Sequence, residues 1–114
     1  MANVKVSNKP WGNFQESDYS VEQWHRACLI HLHDGAPTAK SECKVPVREP
    51  DGTLNRNALG PAAAALAGAR SPLQAPADKK REAARKLIRL YREAGEFAPN
   101  STYNLAGEKQ PVNG

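Results

Sequence analysis

Residues 76–95 read PADKKREAARKLIRLYREAG, and this stretch decides the fold class. Its apolar positions recur at steps of three and four residues, which is typical of an amphipathic helix. Pro76 suits the first turn of such a helix, and Gly95 favours termination just beyond its end. We therefore predict a helix over residues 76–94. The core side chains predicted on it are Leu87, Ile88 and Tyr91.

The same stretch carries the excess positive charge of the chain. Residues 78–93 hold seven basic and three acidic residues, whereas the remainder of the chain holds nine of each. A stripe at three- and four-residue steps consists of Arg81, Arg85, Arg89 and Arg92. It could bind nucleic-acid phosphates or an acidic protein surface, although a solvated helix face is the commoner outcome. Glu82–Lys86 and Arg89–Glu93 pairs would partly neutralise it.

The composition outside this helix predicts a small core. Leu, Ile, Val and Phe account for 19 of the 114 residues, which also include nine Pro and eight Gly. That apolar content lies below the level of an ordinary globular core and excludes a large catalytic scaffold. We divide the chain into a flexible arm at residues 1–13, a small helical domain at 14–95 and a flexible tail at 96–114.

A first helix is predicted ahead of the basic one. Ser20 and Gln23 have the spacing of a capping box, and Tyr19 and Trp24 have that of a hydrophobic staple. These signals predict a short helix from Val21 to about Cys28 with its largest side chain, Trp24, at the centre of the core. The side chains expected to close over Trp24 are Leu66, Leu87, Ile88 and Tyr91.

The segment after the first helix is predicted to be extended. Residues 29–33 and 43–47 could pair as a two-stranded ribbon, in which Pro46 confines the second strand to an edge. Such an edge offers strand addition to a partner. The residues predicted to present it are Lys44, Val45 and Val47.

A second helix is predicted to open near Asn55 and to run toward Leu66, with Gly68 as its C-terminal stop. Gly60-Pro61 either kinks this helix or restarts it with Pro61 as a first residue. The resulting fold class is mainly α: a small three-helix domain with a short extended segment or two-stranded ribbon between the first two helices.

Several histidines and cysteines raise a metal-binding alternative. The residues concerned are His25, Cys28, His31, His33 and Cys43. His25, Cys28 and His31 would place three zinc-type ligands within seven residues, but none of the usual paired spacings is present. We favour a buried Cys28 with histidines on a polar edge, and expect no metal and no cofactor. A structural zinc site stays the alternative.

Other function classes are excluded or disfavoured by what the sequence lacks. It contains no nucleophile elbow, phosphate-binding loop or paired carboxylates at helical spacing, so we expect no enzymatic activity. An apolar run of membrane-spanning length and a signal peptide are also missing. We therefore expect no membrane partner, a reducing intracellular setting and free thiols.

Three blocks of the sequence together resemble a known family. They are FQESDYSVEQWHRACL at residues 14–29, KVPVREPDGTLNRNALGPAAAAL at 44–66 and APADKKREAARKLIRLYREAG at 75–95. Over roughly residues 11–95, the chain resembles a small uncharacterised domain of tailed bacteriophages and prophages. That domain occurs alone or fused to head-morphogenesis proteins, including prohead proteases. Gly60-Pro61 departs from the family pattern.

The resemblance implies a setting in the phage head. We expect a non-enzymatic structural protein that binds the capsid, as a minor capsid, decoration or head-associated component. Its partners would be the major capsid protein or other head proteins, in the virion and, during assembly, in the host cytoplasm. The alternative is a small phage nucleic-acid-binding or host-directed regulatory protein that uses the basic helix. The sequence leaves the oligomeric state on the capsid open.

Overall fold

Four helices and four short strands follow one another along the part of the chain that the computed structural model describes, residues 6–33, 35–68 and 75–109. They are β1 (Val6–Ser7), α1 (Val21–Ala27), β2 (Cys28–His31), β3 (Cys43–Pro46), β4 (Leu54–Asn55), α2 (Arg56–Ala67), α3 (Ala77–Glu93) and α4 (Asn100–Ala106). The fold is mainly α with a two-stranded ribbon, as predicted. Its helix count differs from the predicted three. In the described ranges, no helix is long and apolar enough to cross a membrane.

Helix α1 begins at the predicted capping box. The backbone N–H of Gln23 donates to Ser20 Oγ at 3.1 Å, and the backbone N–H of Ser20 donates to Gln23 Oε1 at 2.7 Å. The Tyr19 and Trp24 rings meet edge to face with centroids 5.1 Å apart, which is the predicted staple. These contacts fix the direction in which the chain enters α1.

Strands β2 and β3 form the predicted antiparallel ribbon. Its register places Cys28 opposite Pro46, Ile30 opposite Lys44 and His31 opposite Cys43. Val45, which interrupts this ladder, has a φ of 66°. A β-branched residue in the left-handed region is strained, so packing must hold it there. Val45 is indeed buried, with 6% of its surface exposed.

Strands β1 and β4 pair in parallel and hold residues 6–9, which we call the N-terminal strap. Asn57 Nδ2 donates to the carbonyl oxygens of Asn8 and Lys9 at 3.1 and 2.9 Å. The predicted flexible arm therefore needs correction, because the strap is held by amide side chains from the start of α2. Composition within residues 1–13 gives no sign of those distant donors. Residues 1–5 lie outside the described residues.

Helices α2 and α3 form where they are predicted. Pro61 lies inside α2, which continues through it as one helix and does not restart there. Gly68 caps α2 with a φ of 74°, a left-handed conformation that glycine adopts without strain. Helix α3 is the predicted basic helix, but it begins one residue later and ends one residue earlier than predicted.

Helix α4 corrects the prediction of a flexible tail from residue 96. It packs on α3 and α2, and it buries Thr102, Tyr103 and Ala106. Arg85 Nε on α3 donates to the Ala106 carbonyl at 3.1 Å, near the C-terminus of α4. A seven-residue helix is stabilised by such packing and not by its own propensity, so its local sequence gives little sign of it. Residues 110–114 of the predicted tail lie outside the described residues.

Among the residues that the structure describes, the core consists of two hydrophobic clusters and not the single predicted one. The main cluster lies between α2, α3, α4 and the ribbon, and it contains the predicted core residues Leu66, Leu87, Ile88 and Tyr91. The second cluster consists of Tyr19, Trp24, Ala27, Cys28 and Cys43. Trp24 is buried as predicted, but Leu66 and the α3 residues do not close over it. The ribbon accounts for this division, because Leu29 and Ile30 pack into the main cluster while Cys28 packs into the second.

Candidate functional site

A cationic groove runs between α3 and the α1–β2 segment. It consists of two open cavities of about 320 and 310 Å³, which share Leu29, His31 and Lys86 in their walls. Among the described residues, its basic side chains are Arg26, Arg48, Lys79, Lys86 and Arg89, and its acidic ones are Glu82 and Glu93. We call this surface the basic groove. Five cationic side chains against two acidic ones favour an anionic ligand or partner.

The spacing of residues on α3 explains how one helix supplies most of this charge. The residues that α3 contributes to the charged walls are Lys79, Glu82, Lys86, Arg89 and Glu93. Steps of three, four, three and four residues bring side chains to one face of a helix. The buried side chains of α3, including Leu87 and Ile88, lie on another face and fix the helix against the core. The groove face is therefore set by the same packing that forms the main cluster.

Two arginines from outside α3 line one of the two cavities of the groove. Arg26 Nη2 donates to the Pro50 carbonyl at 2.9 Å, and Arg48 Nη1 donates to the Gly52 carbonyl at 3.1 Å. Both guanidinium groups are thereby held beside the turn that follows β3. Neither was predicted as a site residue, because their separation of 22 positions along the chain hides that the fold brings them together.

The predicted arginine stripe divides between different surfaces. Arg89 lines the basic groove, whereas Arg85 contacts α4 and lies 3.8 Å from the Glu108 carboxylate. Arg81 and Arg92 are exposed. Across the described parts of the chain, neither the expected Glu82–Lys86 pair nor the expected Arg89–Glu93 pair comes within ion-pair distance. The stripe is thus not one uniform surface, since Arg85 serves to hold α4.

The predicted edge for strand addition is placed differently from expectation. Val45 and Val47 are 6% and 1% exposed and belong to the main cluster. The backbone N–H of Asn55 donates to the Val47 carbonyl at 3.0 Å, so this part of the chain already has a partner. Lys44 remains half-buried. The backbone N–H of Val47 also donates to the Ala27 carbonyl at 2.8 Å, so neither backbone group of Val47 is available to a partner strand.

A cluster of metal-ligating side chains borders the basic groove. The ligand atoms of His25, His31 and Cys43 all lie within 4.8 Å of one another. His25 is in the last turn of α1, His31 ends β2, and Cys43 begins β3 directly opposite His31. We call these three residues the His–Cys cluster. Cys43 also belongs to the second hydrophobic cluster, as does Cys28, but Cys28 is not among the grouped ligand atoms.

Hydrogen bonding and burial set the protonation of the His–Cys cluster. His31 Nε2 lies 2.6 Å from the His25 carbonyl oxygen, so this nitrogen carries the proton and donates it. Burial lowers the pKa of His31 and outweighs the hydrogen bond to the His25 carbonyl, which raises it; the charges of His25 and Lys86 add smaller lowering effects. Burial also raises the pKa of Cys43, with a smaller contribution from Glu42. The cluster therefore holds a neutral His31 imidazole and a protonated thiol at neutral pH.

The two imidazole rings of the cluster stack on each other. Their centroids are 3.9 Å apart and their planes differ by 15°. Only His31 Nδ1 is left with a lone pair on that ring, because Nε2 is committed to the His25 carbonyl. His33 lies in the adjoining wall of the basic groove and not in the cluster.

Comparisons of this chain with protein-family models, with curated proteins and with solved structures found no match. Its function is therefore argued from the groove and the cluster.

Proposed function

We propose that the protein is a non-enzymatic accessory protein of a tailed-phage head, which binds an acidic surface of a head protein through the basic groove. The observation that carries this proposal is the concentration of five cationic side chains in the groove, against two acidic ones, in the part of the chain that the structure describes. The resemblance of three sequence blocks to a phage head-associated domain supplies the setting. The lack of a recognisable catalytic motif in the sequence favours binding over catalysis.

The groove suits docking because its charges stand on a rigid base. Lys86 and Arg89 lie on α3 between buried residues of the main cluster, so their backbone positions are fixed. Arg26 and Arg48 are held by hydrogen bonds to the turn at residues 50–52. Charge complementarity across an interface raises the association rate and suppresses wrong partners. An acidic protein surface is thus the partner that this groove fits.

Co-purification with phage particles tests the setting directly. Mass spectrometry of particles made by the phage or prophage that encodes the chain should detect it at a fixed ratio to the major capsid protein. Its absence from both mature particles and assembling heads would contradict the proposal.

Charge reversal tests the groove. A Lys86→Glu, Arg89→Glu double variant should lose binding to purified heads, measured by co-sedimentation, and the wild-type protein should dissociate as salt rises. Arg81→Glu is the matched control, because Arg81 is an exposed arginine of the same helix outside the groove walls. Equal binding by all three proteins would show that the groove is not the docking surface.

Nucleic-acid binding is the second candidate, favoured by the lysine and arginine side chains that α3 presents at helical spacing. A gel-shift titration across salt distinguishes it from protein docking. The logarithm of the binding constant falls by about 0.9 per phosphate contact for each tenfold rise in salt. The double variant should then lessen this slope by about 1.8. Lack of a shift at low salt would remove this candidate.

A further inference from the structure

We propose that His25, His31 and Cys43 form a zinc-binding site. This site goes beyond the docking function proposed above. Three separate elements bring these ligands together: the end of α1, the end of β2 and the start of β3. Their ligand atoms lie within 4.8 Å of one another. Of the five candidate ligands in the sequence, the fold brings together His25, His31 and Cys43, and the ribbon register sets Cys43 directly opposite His31.

The donor set and its dimensions fit zinc. Two imidazole nitrogens and one thiolate sulfur are ligands that Zn²⁺ prefers over those of Mg²⁺ or Ca²⁺. At Zn–N distances of about 2.0–2.1 Å and Zn–S of about 2.3 Å, tetrahedral ligand atoms lie about 3.3–3.6 Å apart. A cluster within 4.8 Å needs to contract by up to about 1.2–1.5 Å. Rotation about side-chain bonds moves ligand atoms over distances of this size.

His31 is prepared for a ligand role by its second nitrogen. A metal-bound histidine usually donates its other ring N–H to a carbonyl or carboxylate, which fixes the tautomer and the ring orientation. His31 Nε2 already donates to the His25 carbonyl, so Nδ1 presents its lone pair. Neutrality of the His31 ring at pH 7 removes competition from a proton for that lone pair.

The ring stack limits how the two imidazoles can share one ion. An imidazole nitrogen directs its lone pair in the plane of its ring, so two parallel rings 3.9 Å apart cannot both direct lone pairs at one ion. Zinc binding must therefore tilt the His25 ring away from the His31 ring. His25 is half-buried at the edge of the groove, which leaves room for this rotation.

The fourth tetrahedral position faces the basic groove. Its nearest walls carry His33, Lys79, Glu82 and Lys86. Glu82 offers a carboxylate and the open groove offers water, while the two ammonium groups favour an anionic ligand over a neutral one. Three protein ligands with an accessible fourth position distinguish this site from a closed four-ligand structural zinc.

Proton balance predicts how binding depends on pH. The Cys43 thiol loses its proton to solvent as the Zn–S bond forms, while neutral imidazoles release none, so one proton leaves per ion. No oxidant or reductant takes part. The charged groups that face the cluster are Glu42 next to Cys43 and Lys79, Glu82 and Lys86 on α3. Binding should weaken as pH falls, because protons compete with zinc for the Cys43 sulfur.

Cobalt substitution tests the site in the full chain. Titration of the reduced protein with Co²⁺ should give one equivalent bound, with visible bands of tetrahedral cobalt and a near-ultraviolet thiolate charge-transfer band. Zn²⁺ should abolish these bands by displacement. Lack of a thiolate band in the folded wild-type protein would overturn the proposal.

Variants assign the ligands. Cys43→Ser should lose the charge-transfer band and weaken Zn²⁺ binding by more than the ~10–100-fold typical of outer-shell changes. Cys28→Ser is the matched control, since Cys28 is the other buried thiol of the second hydrophobic cluster and should retain the band. Because Cys43→Ser could unfold, His25→Ala at a half-buried position provides a second test, with circular dichroism confirming the fold. A band that survives in Cys43→Ser, or is lost equally in Cys28→Ser, would refute the ligand assignment.

Discussion

Replacement of Trp24 by alanine gives the sharpest test of the two-cluster core. Truncation of a buried Trp costs about 3–5 kcal/mol of unfolding free energy, and loss of the edge-to-face pair with Tyr19 adds about 0.5–1.5 kcal/mol. The Cys43 carbonyl also loses the indole N–H that donates to it at 3.3 Å. We therefore expect a loss of about 4–6 kcal/mol. A chain of 114 residues has a total stability of roughly 6–17 kcal/mol at ordinary values per residue.

Trp11→Ala is the matched control for this variant. Trp11 is half-buried, contacts the edge of the main cluster and lies 5.9 Å from the Phe14 ring in a tilted arrangement. Because Trp11 is less buried than Trp24, its truncation should cost less unfolding free energy than that of Trp24. Urea unfolding followed by far-ultraviolet circular dichroism measures both losses. Fluorescence of the remaining tryptophan reports each cluster separately.

The two-cluster arrangement also predicts the order of events in Trp24→Ala. The second cluster should unfold at a lower urea concentration than the main cluster, because Trp24 is not part of the packing between α2, α3 and α4. Equal and small losses in the two variants would show that the second cluster contributes little to stability. A single transition at unchanged urea concentration would likewise contradict the reasoning.

Three further outcomes follow from buried or shielded groups. The pKa of His31 lies below its ordinary value of 6.5 in the folded state, so the unfolded chain takes up the proton first as pH falls. The free energy of unfolding should therefore fall as pH drops below about 6.5. The urea midpoint of His31→Gln should depend less on pH than that of the wild-type protein. Asn55→Leu removes the amide that donates to the buried Glu49 carboxylate at 2.9 Å and should cost at least about 1–3 kcal/mol in denaturant unfolding. Tyr103→Ala should lower stability by about 3–5 kcal/mol, whereas Phe97→Ala, at a side chain 60% exposed, should change it by less than about 0.5 kcal/mol in the same assay.

Local signals in the sequence predict the first three helices and the ribbon. The Ser20–Gln23 capping box and the Gly68 terminus act within a few residues of the elements that they begin or end. Periodicity does the same for α3. Helix α4 and the N-terminal strap depend instead on partners far along the chain, on α3 and at the start of α2. Both segments are short and mostly polar, so neither hydrophobic periodicity nor composition could predict α4 or the strap.

The candidate site could be predicted only in its residue types. The distribution of charge along the sequence identifies the basic helix, but it does not show which face of that helix lies next to the ribbon. It therefore selects Arg81 and Arg92 and omits Lys79 and Lys86 from the groove. The His–Cys cluster depends on strand register: end-to-end pairing of the predicted segments would set His33 opposite Cys43. The structure shifts the strands by two residues and places His31 there.

The N-terminal strap should be among the first parts of the molecule to unfold locally. Its hydrogen bonds join residues up to 49 positions apart, so closing them costs loop entropy that little apolar burial offsets. Contacts of this kind form late in folding and break first in native-state fluctuations. Amide hydrogens of β4 that face β1 should accordingly exchange with solvent sooner than those of α3. Release of the strap would also uncover Asn55, which is fully buried and donates both to Lys9 and to Glu49. Water would then reach a buried carboxylate beside the start of α2 while the helices remain packed.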